Sequence, residues 1–119
     1  MQRRAFLIVS AAALAALTSP AAAHAMLAHA EPPVGATIRG PVTALRLRFT
    51  ERIEPALCRL VLVRDGRETT LTELRAEGDG RILAAHVAAL APGAYTVRWR
   101  AVSVDTHTTE GDYSFTVAP

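Results

Sequence analysis

Near the C-terminal end the segment SVDTHTTEGDYSF carries Ser103, Asp105 and His107 at alternate positions. In an extended chain residues i and i+2 project to the same side, so the Asp105 carboxylate and the His107 imidazole are expected to converge on one point. Those two donor types suit Cu(II) or Zn(II). Alone, D-x-H is also what a polar, turn-making loop looks like, and a metal reading needs more donors. A hydrolytic reading of Ser103, Asp105 and His107 is poor. A triad sets Ser and Asp on opposite nitrogens of the imidazole, one side of a single strand does not supply that arrangement, and no G-x-S-x-G elbow is present.

Further donors lie at the other end, in SPAAAHAMLAHAEPP. Cleavage after Ala23 makes His24 the first residue and gives it two neutral nitrogen donors, the α-amine and the imidazole. An unperturbed α-amine titrates at about 7.7–8.0, so it becomes a ligand at modest cost. With His107, three nitrogens form a T-shaped or square set, the geometry Cu(II) prefers. Asp105 then fills a further position and offsets the metal charge. Cleavage two residues later removes both His24 donors, and an ordinary chain end is a frayed, solvated segment.

The elements that must position these residues follow a leader. Residues 1–23 read as a secretory signal: Arg3 and Arg4 make a positive start, Phe6 to Leu17 an apolar run, and Ala21 and Ala23 an A-x-A cleavage site. The run is short for a membrane span, which needs roughly 20 apolar residues, so no stable membrane insertion is expected after cleavage. No Cys near the cut supports a lipid anchor. Residues 24–119 then form one small domain. Of the 13 basic residues, none of them Lys, Arg3 and Arg4 leave with the signal, and the remaining charge balances the 11 acidic residues. The pI of about 9.3 belongs to the full chain and is no sign of a nucleic-acid partner. Cys58 is the single cysteine, so an intrachain disulfide is impossible. It shares parity with Leu60 and Leu62 and reads as a buried, inert thiol.

The mature part reads as short strands separated by turns. Leu45, Leu47 and Phe49 alternate with Arg46 and Arg48, the period of a strand with one buried face. A run from Leu57 to Val63 ends at Asp65-Gly66, a hairpin signal leading to a strand near Thr69–Leu74. Glu77-Gly78-Asp79-Gly80 is a turn cluster, followed by a strand from Arg81 to Ala88, and Pro92-Gly93 marks another turn. Beyond it Tyr95, Val97, Trp99 and Ala101 share one face, and Tyr113, Phe115 and Val117 alternate again. With no amphipathic helix after the leader, the class is all-β, a sandwich or barrel. Trp99 reads as core. His29 and His86 read as ordinary exposed or hydrogen-bonded histidines.

These residues carry a family resemblance over essentially the whole mature chain. HAMLAHAEPPVGATI, LRLRFTERIE and above all GAYTVRWRAVSVDTHTTEGDYSFTV resemble the copper-resistance protein C (CopC) family, whose members typically read Y-x-V-x-W-x-x-x-S-x-D-x-H and then G-x-F-x-F-x-V, with Tyr113 here where Phe is usual. The resemblance implies an immunoglobulin-like, Greek-key β-sandwich of about seven strands that binds one Cu(II) per chain. It implies as ligands the α-amine and imidazole of His24, the carboxylate of Asp105 and the imidazole of His107. It sets Glu51, the acid of the F-[ST]-E stretch, behind the ligands, where a carboxylate orients one of them; a solvated strand-end charge is the other reading of Glu51. Some members carry a second, Met-rich site suited to Cu(I), because thioethers are soft donors. Here the methionines are Met1 and Met26 alone, too few for that site, and Met26 stands where many members have a second histidine.

The resemblance implies a periplasmic, monomeric carrier whose partners are the copper ion and an inner-membrane copper transporter, with a role in buffering, sequestering or delivering the metal. Two other readings stay open on the residues. A terminal His with an internal His also occurs in copper-dependent oxidative enzymes. Against that, the chain is small, has a single Trp, and sets Asp105 where oxygen would need an open position; the expectation is no enzyme. The third is an exported structural or interaction module with incidental metal binding.

Overall fold

A computed structural model describes residues 25–119; the expected signal, residues 1–23, and His24 lie outside the described residues. The strands are β1 Leu27–Glu31, β2 Thr37–Ile38, β3 Ala44–Phe49, β4 Arg59–Arg64, β5 Arg67–Thr70, β6 Arg75–Glu77, β7 Ile82–His86, β8 Gly93–Val102 and β9 Thr108–Val117. They form two sheets, one ordered β1-β3-β7-β6 and the other β2-β9-β8-β4-β5. The chain changes sheet from β1 to β2 and back to β3, and again between β3 and β4, between β5 and β6 and between β7 and β8, which closes a Greek-key sandwich of the all-β class expected.

The described residues hold nine strands where about seven were expected. The two additional ones, β2 and β6, are two and three residues long, too short for an alternation to register. The strand expected from Leu57 starts later, because Pro55–Leu57 forms a single 3₁₀ turn and β4 begins at Arg59. The strand expected near Thr69–Leu74 lies earlier, at Arg67–Thr70, because Asp65 and Gly66 both adopt positive φ (50° and 76°) and close a two-residue hairpin with Arg64 opposite Arg67. The strand expected over Arg81 to Ala88 is shorter, since Arg81 still belongs to the turn and the chain leaves β7 after His86.

The interior is built by alternation. Leu45, Leu47 and Phe49, with Leu83 beside them on β7, face Leu60, Tyr95, Val97, Trp99, Ala101, Tyr113, Phe115 and Val117 in one apolar cluster. A fully buried Leu, Val or Phe contributes roughly 1.5–3 kcal/mol, so this cluster is the main stabilising term. Trp99 is core as expected, with its ring edge-on to Phe49 at a centroid distance of 5.2 Å. The indole lies across Gly111, its partner on β9, where a Cβ would stand 2.6 Å from the Trp99 ring. Outward-facing residues form ion pairs across the strands, Arg46–Glu77 at 2.8 Å and Arg100–Glu110 at 3.5 Å among them. Cys58 is half-buried and its sulfur meets the backbone of Val102, 3.4 Å from the amide nitrogen. The thiol is thus less buried than expected, since Cys58 closes the 3₁₀ turn ahead of β4; such burial as it has raises its pKa.

Two outcomes test this packing. Gly111→Ala should destabilise the fold by about 1–3 kcal/mol through overpacking, read as a lower melting temperature at about 4–8 °C per kcal/mol. The Tyr113 hydroxyl is buried without a hydrogen-bond partner among the described residues, so Tyr113→Phe should leave stability equal or higher by about 1 kcal/mol in the same melt, since an unsatisfied buried donor is costly.

Candidate metal centre

Strands β8 and β9 pair over their whole length, from Gly93 opposite Val117 to Val102 opposite Thr108, and residues 103–107 connect them. The connection is a tight turn. The Ser103 amide donates to the His107 carbonyl oxygen at 2.9 Å and the Thr106 amide to the Ser103 carbonyl oxygen at 2.8 Å. Ser103 also bridges Ile53, and the Val104 amide donates to the Arg52 carbonyl oxygen at 3.0 Å. The loop is thereby bound to the segment that leaves β3.

Asp105 and His107 do meet, with His107 Nδ1 3.2 Å from Asp105 Oδ2. They meet by a different route from the extended one expected, because residues 104–107 are not strand and Thr106 adopts a φ of 71°. Positive φ is a strained conformation for a β-branched residue. The turn folds the two side chains toward each other, and both remain half-exposed at 52% and 49%. The Ser103 hydroxyl donates to Asp105 Oδ1, and the His107 amide lies 3.5 Å from the same oxygen. These contacts lower the Asp105 pKa, the Ser103 hydroxyl first and the His107 side chain second. The carboxylate is therefore an ionised donor at neutral pH. Ser103 is buried and bonded to Asp105, not to the imidazole, so the order of a Ser–His–Asp relay is absent.

Chemically, a carboxylate oxygen and an imidazole nitrogen 3.2 Å apart match two neighbouring ligands of one ion, which at bond lengths of about 2.0–2.1 Å stand roughly 2.9 Å apart. Two donors make half of such a centre. Among the described residues no group of three or more His, Cys, Asp and Glu side chains is placed to hold a metal. The chain start is held at the same end of the sandwich. The Thr109 hydroxyl donates to the Ala25 carbonyl oxygen at 2.6 Å. The Met26 amide donates to Thr50 Oγ1 at 3.0 Å, and the Thr50 amide to the Met26 carbonyl oxygen at 2.9 Å. Ala25 is fully buried. Glu51 lies between Thr50 and Arg52, whose backbones bind the chain start and the 103–107 turn respectively, and is half-buried. His29 and His86 are exposed, His29 opposite Arg48 on β1 and His86 at the end of β7, away from this pair in register.

The groups that hold these residues are not evident from residue order. Thr109 and Ala25 are 84 positions apart, and nothing local marks such a bond. Ser103 had only a faint signal, a hydroxyl two residues before a carboxylate at a strand end; its bond is side chain to side chain, outside the local side-chain-to-backbone patterns that turn residues usually form. Thr106→Gly should raise the melting temperature of the metal-free protein, because the strain of positive φ, of order 1–3 kcal/mol, exceeds the extra chain entropy of Gly, roughly 0.5–1 kcal/mol. An unchanged or lower value would show that the turn is relaxed.

Comparison with known proteins gives consistent results. The CopC domain family matches residues 27–118. Protein YobA of Escherichia coli K12 is 38% identical over 98 residues, covering 80% of this chain and 79% of YobA. Copper resistance protein C of Xanthomonas campestris pv. juglandis is 31% identical over 125 residues, covering 92% and 91%. Among solved structures, CopC from Methylosinus trichosporium OB3b superposes with a TM-score of 0.73 at 30% identity over 81% of this chain and 95% of that one. PcoC, described as a methionine-rich copper resistance protein from Escherichia coli, gives 0.69 at 27% identity over 80% and 99%.

Proposed function

The chain belongs to the CopC family, and from that premise we propose that it is an exported, periplasmic protein that binds one Cu(II) and buffers, sequesters or delivers it. Residues 1–23 act as the signal, and residues 24–119 as the mature domain. The observation that carries the reading is the Asp105–His107 pair, 3.2 Å apart, beside a chain start tied down through Ala25 and Thr109. The α-amine and imidazole of His24 complete the ligand set with Asp105 and His107. Glu51 sits behind them and tunes a ligand by hydrogen bonding.

The donor chemistry favours Cu(II). Two imidazoles, an amine and a carboxylate are borderline-to-hard ligands, and Cu(II) takes nitrogen-rich square sets. The full chain has 2 methionines, of which Met1 leaves with the signal, so the soft thioether donors that suit Cu(I) are scarce. This sets the chain apart from a relative such as PcoC, described as methionine-rich. The carboxylate is already ionised at neutral pH, and the amine releases a proton from a pKa of about 7.7–8.0, so binding strengthens as pH rises through that range. The partner that would receive the ion is an inner-membrane copper transporter, and the protein acts on it as a monomeric carrier without chemistry of its own on the metal.

The test is intact mass on the exported, purified protein with and without Cu(II). A mass starting at His24 that gains one copper is expected. A mass starting at Met26 would remove both His24 donors and sink the ligand set. His107→Ala should weaken Cu(II) binding by about 100-fold or more, roughly 3 kcal/mol, and should lose the copper-dependent rise in melting temperature, worth about 2.7 kcal/mol at a 100-fold excess over Kd. Equal affinity in this variant would discard the site.

A further inference from the structure

Ser103 is the one buried residue of a polar type among the described residues, 1% exposed. A buried hydroxyl is costly unless it is hydrogen-bonded, and alanine would fill nearly the same volume without that cost. The hydroxyl is bonded: it donates to Asp105 Oδ1, with the His107 carbonyl oxygen 3.3 Å away as its other acceptor. Its own backbone is fixed by the bridge to Ile53 and by two bonds across the turn. The group that holds Asp105 is therefore attached to the sandwich itself and does not move with the exposed loop.

An exposed aspartate otherwise rotates about both side-chain torsions. Here Oδ1 is occupied by the Ser103 hydroxyl and faces the His107 amide at 3.5 Å. That leaves Oδ2 as the oxygen directed at the imidazole, 3.2 Å from Nδ1. We infer that Ser103 is a positioning residue for the metal: by holding Oδ1 it presents Oδ2 and the His107 ring together as a preformed half-site. Each carboxylate oxygen has about two lone-pair sites, so an oxygen engaged in this way keeps capacity for an ion. The inference rests on the copper reading above, and groups placed behind a ligand in this manner typically set metal affinity by about 10–100-fold.

The experiment uses the mature protein with Cu(II) alone, comparing the parent with Ser103→Ala, Ser103→Thr, Asp105→Ala and His107→Ala. Affinity is read by competition with a chelator, and the copper environment by electron paramagnetic resonance. Ser103→Ala should bind about 10–100-fold more weakly with altered hyperfine splitting, and Ser103→Thr, which keeps the hydroxyl, should restore both. In the metal-free protein, with imidazole neutral, long-range proton–nitrogen correlation should show His107 as the Nδ1–H form in the parent, a proton that passes to Nε2 when Nδ1 takes the metal, and as a mixture in Ser103→Ala. If Ser103→Ala does not fold, Ser103→Gly, which also removes the hydroxyl and adds no metal donor, is judged by the same criteria. Parent-like affinity and spectrum in Ser103→Ala, with binding lost in His107→Ala, would overturn the role of Ser103 and leave the copper reading standing. Parent-like binding in both Asp105→Ala and His107→Ala would overturn the copper reading and the inference with it.

Discussion

Ten consecutive cross-strand pairs, from Gly93 opposite Val117 to Val102 opposite Thr108, tie β8 to β9. On the inner face of this ladder lie Tyr95, Val97, Trp99 and Ala101 from one strand and Tyr113, Phe115 and Val117 from the other, all buried. A strand whose side chains alternate between core and solvent cannot slip by one residue without turning its apolar set outward. The register is thus set by burial along the whole hairpin, and the turn at its end inherits that rigidity. Gly111 belongs to the same constraint, because the Trp99 indole occupies the space a side chain would need, and the indole in turn packs edge-on against Phe49 of the other sheet.

The turn combines this rigidity with local strain. Thr106 is held at positive φ by bonds on either side of it, the Ser103 amide to the His107 carbonyl and the Val104 amide to the Arg52 carbonyl. A strained backbone persists only where its surroundings over-determine it, and here the surroundings are two strands and the segment after β3. The result is an Asp–His pair half-open to solvent on a base bonded to the strands and to the segment after β3. On the proposed reading, an ion arriving from solution would meet donors that are already oriented, leaving little ordering cost to be met on binding.

The proposed preference for Cu(II) rests on the donor types around that pair, a carboxylate and an imidazole in the 103–107 turn. The soft donors are few: Met26 is exposed, and the Cys58 thiol faces the Val102 backbone with its pKa raised by burial. A protonated thiol is a poor ligand, since the thiolate is the form that binds metal. The CopC family match runs from 27 to 118, while the methionine content separates this chain from a methionine-rich relative.

Much of this was legible in residue order. The all-β class, the inward sets on β3, β8 and β9, the Asp65-Gly66 hairpin and the pairing of Asp105 with His107 rest on period-two alternation and short-range turn chemistry, which act between near neighbours and are written locally. The two shortest strands were not legible, because two or three residues carry no period. Nor was the route by which Asp105 reaches His107, since a positive φ at Thr106 goes against the residue's own preference and is imposed from outside the turn. The bond from Thr109 to Ala25, spanning 84 positions, and the burial of Ser103 against Asp105 exist only once the two sheets have closed. Residue order determined which donors the protein owns and which strand ends carry them; the packing of one sheet on the other decided that the chain start and the 103–107 turn share an end, because bonds such as Thr109 to Ala25 join residues that only the closed fold brings together.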